Sequence, residues 1–130
     1  MSLATSSVAT MLPVTDTNRA KEFYGTTLGL PFQGANAMGE LSFGLAGGTT
    51  LVLLPREAGS QSPSTAVSWE VADLAQEMAD LESRGVRFED YDLPGLKTVD
   101  HVAETDTERA AWFLDPDGNV LCVHQTLGAG

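Results

Sequence analysis

The stretch FLDPDGNVLCVH (113–124) decides the fold, because it repeats an earlier stretch, FGLAGGTTLVLL (43–54), without a gap. The alignment pairs Phe43 with Phe113. In both stretches two apolar runs flank a glycine-containing break, the pattern of two strands joined by a turn. In the later stretch, Asp-Pro-Asp-Gly at 115–118 has the residue preferences of a type I turn. The match indicates an internal duplication.

A second pair of similar segments precedes these predicted strand pairs. VTDTNRAKEFYGTTLGLPF (14–32) and VADLAQEMADLESRGVRF (71–88) both begin with a strand that ends at Val-x-Asp. Asp16 and Asp73 stand where the N-cap of a helix is expected. The apolar residues that follow them recur at the helical period. Both segments therefore predict a strand followed by an amphipathic helix.

Each predicted helix ends at a glycine, Gly29 or Gly85, since glycine accepts the left-handed backbone that closes many helices. The residues GLPF and GVRF, which begin at these glycines, predict a short strand after each helix. Each copy of the repeat thus has the order strand, helix, strand, strand, strand.

The two copies cover about residues 6–56 and 64–126, and a linker rich in Ser, Gly and Pro joins them at 56–65. Such a copy places its helix on one sheet face and leaves the other face open. Two copies side by side are therefore expected to curl their sheets around a shared cavity. The sequence predicts one α+β domain, residues 1–130, built from two βαβββ modules with pseudo-twofold symmetry.

Charge limits the partners of the chain. Its 130 residues include 7 Lys and Arg against 18 Asp and Glu, a formal net charge of −11. This length suits a single domain with a sizeable core. The negative field repels phosphate backbones and anionic lipid surfaces, so we expect neither a nucleic-acid partner nor a membrane partner.

Several features of the sequence favour a cytoplasmic protein. No segment reaches the length that spans a bilayer, and no basic region followed by an apolar run opens the sequence. The single cysteine, Cys122, excludes an intramolecular disulfide and suits a reducing compartment. We therefore expect a cytoplasmic location.

With VTDTNRAKEFYGTTLGL near the start and AAWFLDPDGNVLCVHQ near the end, the chain resembles the vicinal oxygen chelate superfamily. This group includes glyoxalase I, extradiol dioxygenases, methylmalonyl-CoA epimerase, and bleomycin- and fosfomycin-resistance proteins. The resemblance covers about residues 8–126. FEDYDLPGLKTVDHVAE (88–104) also is similar to a bacterial branch with no assigned substrate. The resemblance implies the glyoxalase/bleomycin resistance/dioxygenase fold and a homodimer.

The resemblance also implies where a metal ion would be held. In metal-using members, the ligands come from the first and last strand of each module. The matching positions here are Ala9, Val52, Ala66 and Cys122. Methyl and isopropyl groups donate no electron pair to a metal, and one thiol alone does not make a metal site. We therefore expect no metal ion and no cofactor.

Strand alternation predicts which other side chains share the face of these four positions. Their neighbours at odd spacing, among them Leu12, are expected in the core. The residues predicted on this basis to line the cavity are Met11, Ser68, Glu70, Cys122 and His124.

Glu70 is the predicted catalytic residue. A carboxylate that faces an apolar chamber is a candidate for moving a proton during a reaction. The alternative is that Glu70 reaches the rim or pairs with Arg87 or Arg109.

The remaining predicted ligand-binding residues each leave alternatives open. Cys122 is either a small buried apolar residue or a nucleophile beside His124. His101 lies in a long polar connection, where it is either solvated or part of a functional lid. Tyr91 is either a strand tyrosine with a wet hydroxyl or a ring that stacks on a planar ligand. Trp69 and Trp112 are predicted in the core.

The first functional hypothesis is a protein that binds a small organic molecule without a metal. Superfamily members that bind antibiotics hold them in apolar grooves between subunits, and an acidic surface suits a cationic drug. One alternative is a lyase, isomerase or dioxygenase. It would use Glu70 as acid and base, or a non-standard metal site made from Glu70, His101, Cys122 and His124. Another alternative is a scaffold in which only dimerisation matters.

Overall fold

The computed structural model describes residues 2–127. Its helices are α1, Thr17–Glu22, and α2, Leu74–Ser83. Its strands are β1 Ala9–Val14, β2 Phe32–Ala35, β3 Leu41–Gly44, β4 Thr50–Pro55, β5 Thr65–Glu70, β6 Asp92–Leu93, β7 Leu96–Lys97, β8 Ala103–Glu104, β9 Glu108–Leu114 and β10 Val120–Thr126. Short 3-10 turns lie at Leu3–Thr5 and Ala46–Gly48. Neither α1 nor α2 has the length and apolar character that crossing a membrane requires.

The chain divides between Gln61 and Ser62 into two compact units, the first and the second module. The first module contains a four-stranded sheet in the order β1-β4-β3-β2, and the second contains one in the order β5-β10-β9-β8. In both sheets the first pair is parallel and the other pairs are antiparallel. The predicted α+β fold with two modules is confirmed, whereas a cavity enclosed by two sheets stays a prediction.

The helix ends follow the sequence closely. The side chains of Asp16 and Asp73 each accept a hydrogen bond from the backbone N–H three residues further on, at 3.0 and 3.1 Å. These bonds satisfy donors that the first helical turn leaves free. Gly29 and Gly85 have φ of 76° and 97°, the left-handed conformation that a side chain disfavours. The predicted N-caps are confirmed, and so is the left-handed backbone at both glycines.

One face of each sheet supplies the core of its module. Along β1 and β4, buried residues alternate with more exposed ones, as a period of two requires. In the second module, α2 packs against β10. The core residues of the two sheets that occupy matching repeat positions are Phe43 and Phe113, Leu51 and Leu121, and Leu53 and Val123.

The first helix is shorter than the sequence predicts. After Glu22 the backbone widens into one π-helical turn, Phe23–Thr27, in which the N–H of Leu28 bonds the carbonyl of Phe23 at 2.8 Å. Gly25 lies within this turn, and a Cβ there would stand 3.4 Å from the ring of Phe43. The absence of a side chain at this position lets the turn approach the core ring closely.

The predicted strand GVRF does not form, and this prediction is wrong. Phe88 makes only an isolated bridge with Phe113 at one end of β9. At the other end of β9, Ala103 of β8 lies opposite Ala110. Each residue on the outer edge of β9 can pair with only one neighbouring segment. Phe88 occupies one end of that edge and β8 the other, so neither pairs along the whole edge. The GLPF strand forms only from its last residue, since β2 begins at Phe32.

Candidate functional site

The parallel pair β5 and β10 brings four of the predicted residues together on one sheet face. Its register places Ser68 beside Cys122 and Glu70 beside His124. Directly paired residues project to the same side of a sheet. A register shift between Val120 and Leu121 precedes these pairs, and it marks a local irregularity of the kind that re-aims side chains. We call this surface the second-module face.

Four side chains on this surface form a connected polar chain. The Ser68 Oγ lies 2.6 Å from Nδ1 of His124, which is a short hydrogen bond. On the other side of the ring, Nε2 of His124 lies 3.6 Å from Oε1 of Glu70, an ion-pair contact when the imidazole is protonated. The Thr126 hydroxyl donates to the same Glu70 oxygen at 3.0 Å. The imidazole thus has a hydroxyl on one nitrogen and a carboxylate facing the other.

In this arrangement Glu70 pairs with neither of its two candidate partners, Arg87 and Arg109. Its side chain is 67% exposed, so it reaches solvent while it faces His124. Arg109 instead pairs with Glu104, with Nε and Oε1 2.8 Å apart. Glu70 is therefore open to a ligand from solvent.

Cys122 lies in the same row as Ser68 but is buried, with 4% of its surface exposed. Burial raises the pKa of the Cys122 thiol above its ordinary value, and the charge of Glu108 acts in the same direction. The nearby Ser68 hydroxyl and the backbone of Ala111 would stabilise a thiolate and so lower the pKa, without reversing that shift. The thiol is thus neutral at physiological pH and poorly suited to attack a ligand.

Trp112 was predicted in the core, and that prediction is wrong. It pairs with Cys122 across β9 and β10, so its ring lies half-buried on the second-module face. The indole N–H donates to the Thr65 hydroxyl at 3.1 Å. The ring of Tyr91 packs edge-on against it, with centroids 5.7 Å apart and planes at 87°. The pairing of Trp112 with Cys122 is the signal that identifies it, and it requires the strand register.

Tyr91 is half-buried and lies outside the strands. Burial raises the pKa of its hydroxyl, and the charge of Glu89 acts in the same direction. The hydroxyl is therefore neutral and able to donate a hydrogen bond to a ligand.

His101 takes part in a different cluster. Its backbone N–H donates to Oδ1 of Asp90 at 3.0 Å, and its Nδ1 lies 2.9 Å from Oδ2 of the same carboxylate. Nδ1 has no hydrogen-bond partner among the described residues, so this second contact is electrostatic when the ring is protonated. Asp100 and His101 both have positive φ, 51° and 73°. Asp90 thereby holds a locally strained turn.

Met11 belongs to the first module, where β1 pairs with β4. Its partner across that pair is Val52, and Ser42 of β3 continues the same row. Met11 is 48% exposed, while its neighbour Leu12 is buried. The predicted alternation along β1 is confirmed. We call the surface that bears Met11 and Val52 the first-module face.

The donor chemistry of the superfamily's metal positions does not fit a metal ion. Ala9 and Val52 lie in the first module, and Ala66 and Cys122 in the second. Three of these side chains are hydrocarbons, and the fourth is a buried neutral thiol. Among residues 2–127, no group of three or more His, Cys, Asp or Glu side chains is arranged to hold a metal.

Comparison with protein families assigns the chain to a superfamily. A sequence profile of the Glyoxalase/Bleomycin resistance protein/Dioxygenase superfamily matches residues 7–123. The chain therefore belongs to this superfamily. A comparison with curated protein sequences gave no match.

Solved structures agree with this assignment. TnmS3, an antibiotic-binding protein from Streptomyces sp. CB03234, is 30% identical, with a TM-score of 0.73 over 97% of this chain and 100% of the other. A glyoxalase/bleomycin resistance protein from the same organism is 30% identical, with a TM-score of 0.65 over 92% and 100% of the two chains. A superfamily member from Sphaerobacter thermophilus DSM 20745 is 25% identical, with a TM-score of 0.71 over 92% and 96%.

Proposed function

We propose that the chain binds a small, planar, cationic organic molecule on the second-module face, and that no metal ion takes part. One observation carries this proposal: the ring pair of Trp112 and Tyr91 and the exposed carboxylate of Glu70 lie on the same sheet face, on opposite sides of β10 and one row of residues apart along it. An aromatic surface beside a negative charge is suited to a flat, positively charged ligand.

The aromatic part of this face is held in place before any ligand arrives. The hydrogen bond from the Trp112 indole to Thr65 and the edge-on contact with Tyr91 restrict the indole ring. A restricted ring loses little conformational freedom on binding, which favours affinity.

The charge of the chain supports a cationic ligand. The net charge of −11 attracts cations at long range, and the exposed Glu70 carboxylate supplies a local partner. Ser68 adds a hydroxyl that both accepts and donates hydrogen bonds. The similarity to an antibiotic-binding protein from Streptomyces supports a ligand of drug size.

The direct test is calorimetric titration of the chelator-treated chain with ethidium, a planar cation, and with phenanthridine, its neutral ring system. We expect ethidium to bind in one site and phenanthridine to bind more weakly. Equal affinity for both would contradict the role of charge. If neither compound binds and metal-free bleomycin does not bind either, the proposed function is wrong.

Two matched pairs of variants locate the site. Trp112→Leu is expected to weaken ethidium binding by about tenfold, the upper value for an aromatic pair, whereas Trp69→Leu, on the opposite sheet face, leaves it unchanged. Glu70→Gln is expected to weaken ethidium binding about threefold, as for a solvent-exposed ion pair, and to spare phenanthridine. Glu82→Gln, on α2, is the control for the loss of one negative charge.

Metal independence has its own measurement. We expect less than about a tenth of an equivalent of any transition metal in chelator-free protein, because only one of the four superfamily ligand positions has a donor atom. Ethidium affinity should be the same before and after chelation. A stoichiometric Zn, Ni, Fe or Mn that restores binding would overturn this part of the proposal.

One geometric observation favours the alternative of an enzyme that moves a proton. Glu70 faces the His124 imidazole from solvent at 3.6 Å, so it is placed to exchange protons with a bound molecule. The superfamily chemistry of this kind would be that of a lyase or isomerase. If the chain has lyase or isomerase activity and Glu70→Gln loses it while remaining folded, that result would support this alternative over simple binding.

We propose in addition that the chain forms a homodimer in the cytoplasm. Exposed apolar side chains at Val8, Met11 and Met38 support association, and the free Cys122 thiol suits a reducing compartment. Sedimentation at equilibrium tests the dimer, and cell fractionation tests the location. A monomer at micromolar concentration would contradict the first statement.

A further inference from the structure

The second-module face carries more chemistry than ligand binding requires. A hydroxyl, an imidazole and a carboxylate stand in sequence at Ser68, His124 and Glu70. This order activates a serine in many enzymes, because the imidazole takes the hydroxyl proton while the carboxylate stabilises the imidazolium. We propose that Ser68 is a nucleophile that attacks activated esters bound on this face, with His124 as its general base. The inference rests on the proposed function, since the ester has to bind where the ligand binds.

Glu70 determines which ring nitrogen carries the proton. If the proton were on Nδ1, the lone pair on Nε2 would face the carboxylate, and the two negative regions would repel each other. With the proton on Nε2, that nitrogen carries a hydrogen 3.6 Å from Glu70 Oε1 as measured between the heavy atoms, and Nδ1 is free to accept from the Ser68 hydroxyl at 2.6 Å. The second tautomer is therefore favoured. It is also the tautomer in which the imidazole can act as a base toward Ser68.

Thr126 positions Glu70 for this task. Its hydroxyl donates to the same carboxylate oxygen that faces His124, at 3.0 Å. The side chain of Glu70 is largely exposed, and without this bond it would sample many rotamers. Glu70 and Thr126 are positioning residues, because they act on the ester only through His124.

Ser68 is preferred over the neighbouring thiol as the nucleophile because of access. Ser68 is exposed, whereas Cys122 is buried beside it. Cys122 retains its proton, since burial raises the thiol pKa. A reagent that arrives from solvent thus meets the hydroxyl and not the sulfur.

The proposed step conserves atoms and charge. The Ser68 Oγ forms a bond to the ester carbonyl carbon, and its proton moves to Nδ1 of His124. The bond from the carbonyl carbon to the alcohol oxygen then breaks; a departing alkoxide takes the proton from His124, whereas a phenolate leaves as the anion and His124 gives its proton to solvent. Water, activated in the same way, cleaves the acyl-serine and releases the acid. The net reaction is ester plus water to acid plus alcohol, with no oxidant or reductant. Aryl esters are the favoured class, because a phenolate leaves with little help from an acid.

The test uses the full chain and p-nitrophenyl acetate. We expect p-nitrophenolate release well above that given by the same concentration of free imidazole, with an acetyl group found on Ser68 by tandem mass spectrometry. Ser68→Ala should abolish this label and reduce the rate to the imidazole level. His124→Gln should lower the acetylation rate by about 100-fold, the usual contribution of a general base.

Matched variants separate this chemistry from general reactivity. His101→Gln removes the other histidine and should leave the rate unchanged, as should Ser42→Ala in the first-module sheet. Glu70→Gln should lower kcat about fivefold, as for an exposed ion pair, with KM for the neutral ester unchanged. If Glu70 had only a structural role, its replacement would not lower kcat while leaving KM unchanged.

The outcomes distinguish this inference from the proposed function. If the chain binds ethidium but Ser68 is not acetylated, or if Ser68→Ala keeps the full rate of p-nitrophenolate release, the assignment of Ser68 as the nucleophile is wrong. The proposed ligand binding then still holds. If Ser68 is acetylated while ethidium does not bind, the nucleophile stands and the cationic ligand class is wrong. If neither occurs in chain shown to be folded by circular dichroism, both proposals are wrong.

Discussion

The first-module face and the second-module face are built on the same strand order but carry different side chains. At the first, Met11 and Val52 are apolar. At the second, Ser68 and His124 form part of a polar chain. The opposite face of both sheets is a buried apolar core. The comparison teaches that the core residues maintain the fold, while the other face is free to acquire chemistry.

The two hairpin turns show the same division between shared backbone and different side chains. Leu45 N–H bonds the carbonyl of Thr49 at 2.8 Å, and Asp115 N–H bonds the carbonyl of Asn119 at 3.0 Å. Only the second turn has a buried carboxylate, which accepts bonds from the backbone and side-chain amide of Asn119. The same closing hydrogen bond is thus reached with different local interactions.

The largest expected effect tests whether the two cores are equivalent. Phe43→Ala and Phe113→Ala remove rings that are 0% and 1% exposed, so each should lower the free energy of unfolding by about 3–5 kcal/mol. Urea denaturation measures both. The half-exposed Phe32 is the control, and Phe32→Ala should cost much less. If the free energy of unfolding falls only slightly for one of the two buried rings, the two cores are not equivalent.

A smaller effect is expected at the second hairpin. Asp115→Ala leaves the buried amide of Asn119 without its carboxylate acceptor, which should cost about 2 kcal/mol. Asp106→Ala, at an exposed loop aspartate, serves as the control in the same denaturation series. Equal stability of the two variants would show that the turn needs no side-chain acceptor.

The helix caps should behave alike in the two modules. Asp16→Ala and Asp73→Ala each remove one bond to a free helix N–H, with an expected cost of about 1 kcal/mol. Asp→Asn at the same positions keeps the acceptor oxygen and should restore most of the stability. Thermal unfolding followed by circular dichroism measures the difference. A loss confined to one module would show that its helix depends on packing instead.

The smallest effect concerns pH and distinguishes Cys122 from its counterpart, Val52. The pKa of the Cys122 thiol is raised in the folded chain by burial, so the unfolded chain loses this proton first as pH rises. The stability contribution is present below the unfolded thiol pKa, about 8.5, and is lost as pH rises through the folded pKa. Cys122→Ala should therefore lose less stability than the parent above that pH. Identical pH profiles would contradict the shift.

Local features of this chain were predictable because they depend on near neighbours. The caps at Asp16 and Asp73, and the left-handed Gly29 and Gly85, follow from residue preferences within one helical turn. Alternation along β1 follows from the period of a strand. The second-module face was also predicted in part, since Ser68, Glu70, Cys122 and His124 were placed together by alternation.

Contacts between distant segments were not predictable in the same way. The failure of GVRF to form a strand depends on how β8 and Phe88 divide the edge of β9. The position of Trp112 depends on its register against Cys122. A shift of one residue in register would move a side chain to the opposite face, and no local pattern fixes that shift.

The sequence by itself determined the duplication, the two modules and the helix caps, because these follow from residue type, period and spacing along the chain. The resemblance to the superfamily further implied that its usual metal donors are missing. Only the tertiary structure decided that Ser68 bonds His124, that Glu70 faces the other side of the same ring, and that Trp112 and Tyr91 lie beside them. The physical reason is that β5 and β10 are distant in sequence, and their pairing distances are set by the packing of the whole sheet.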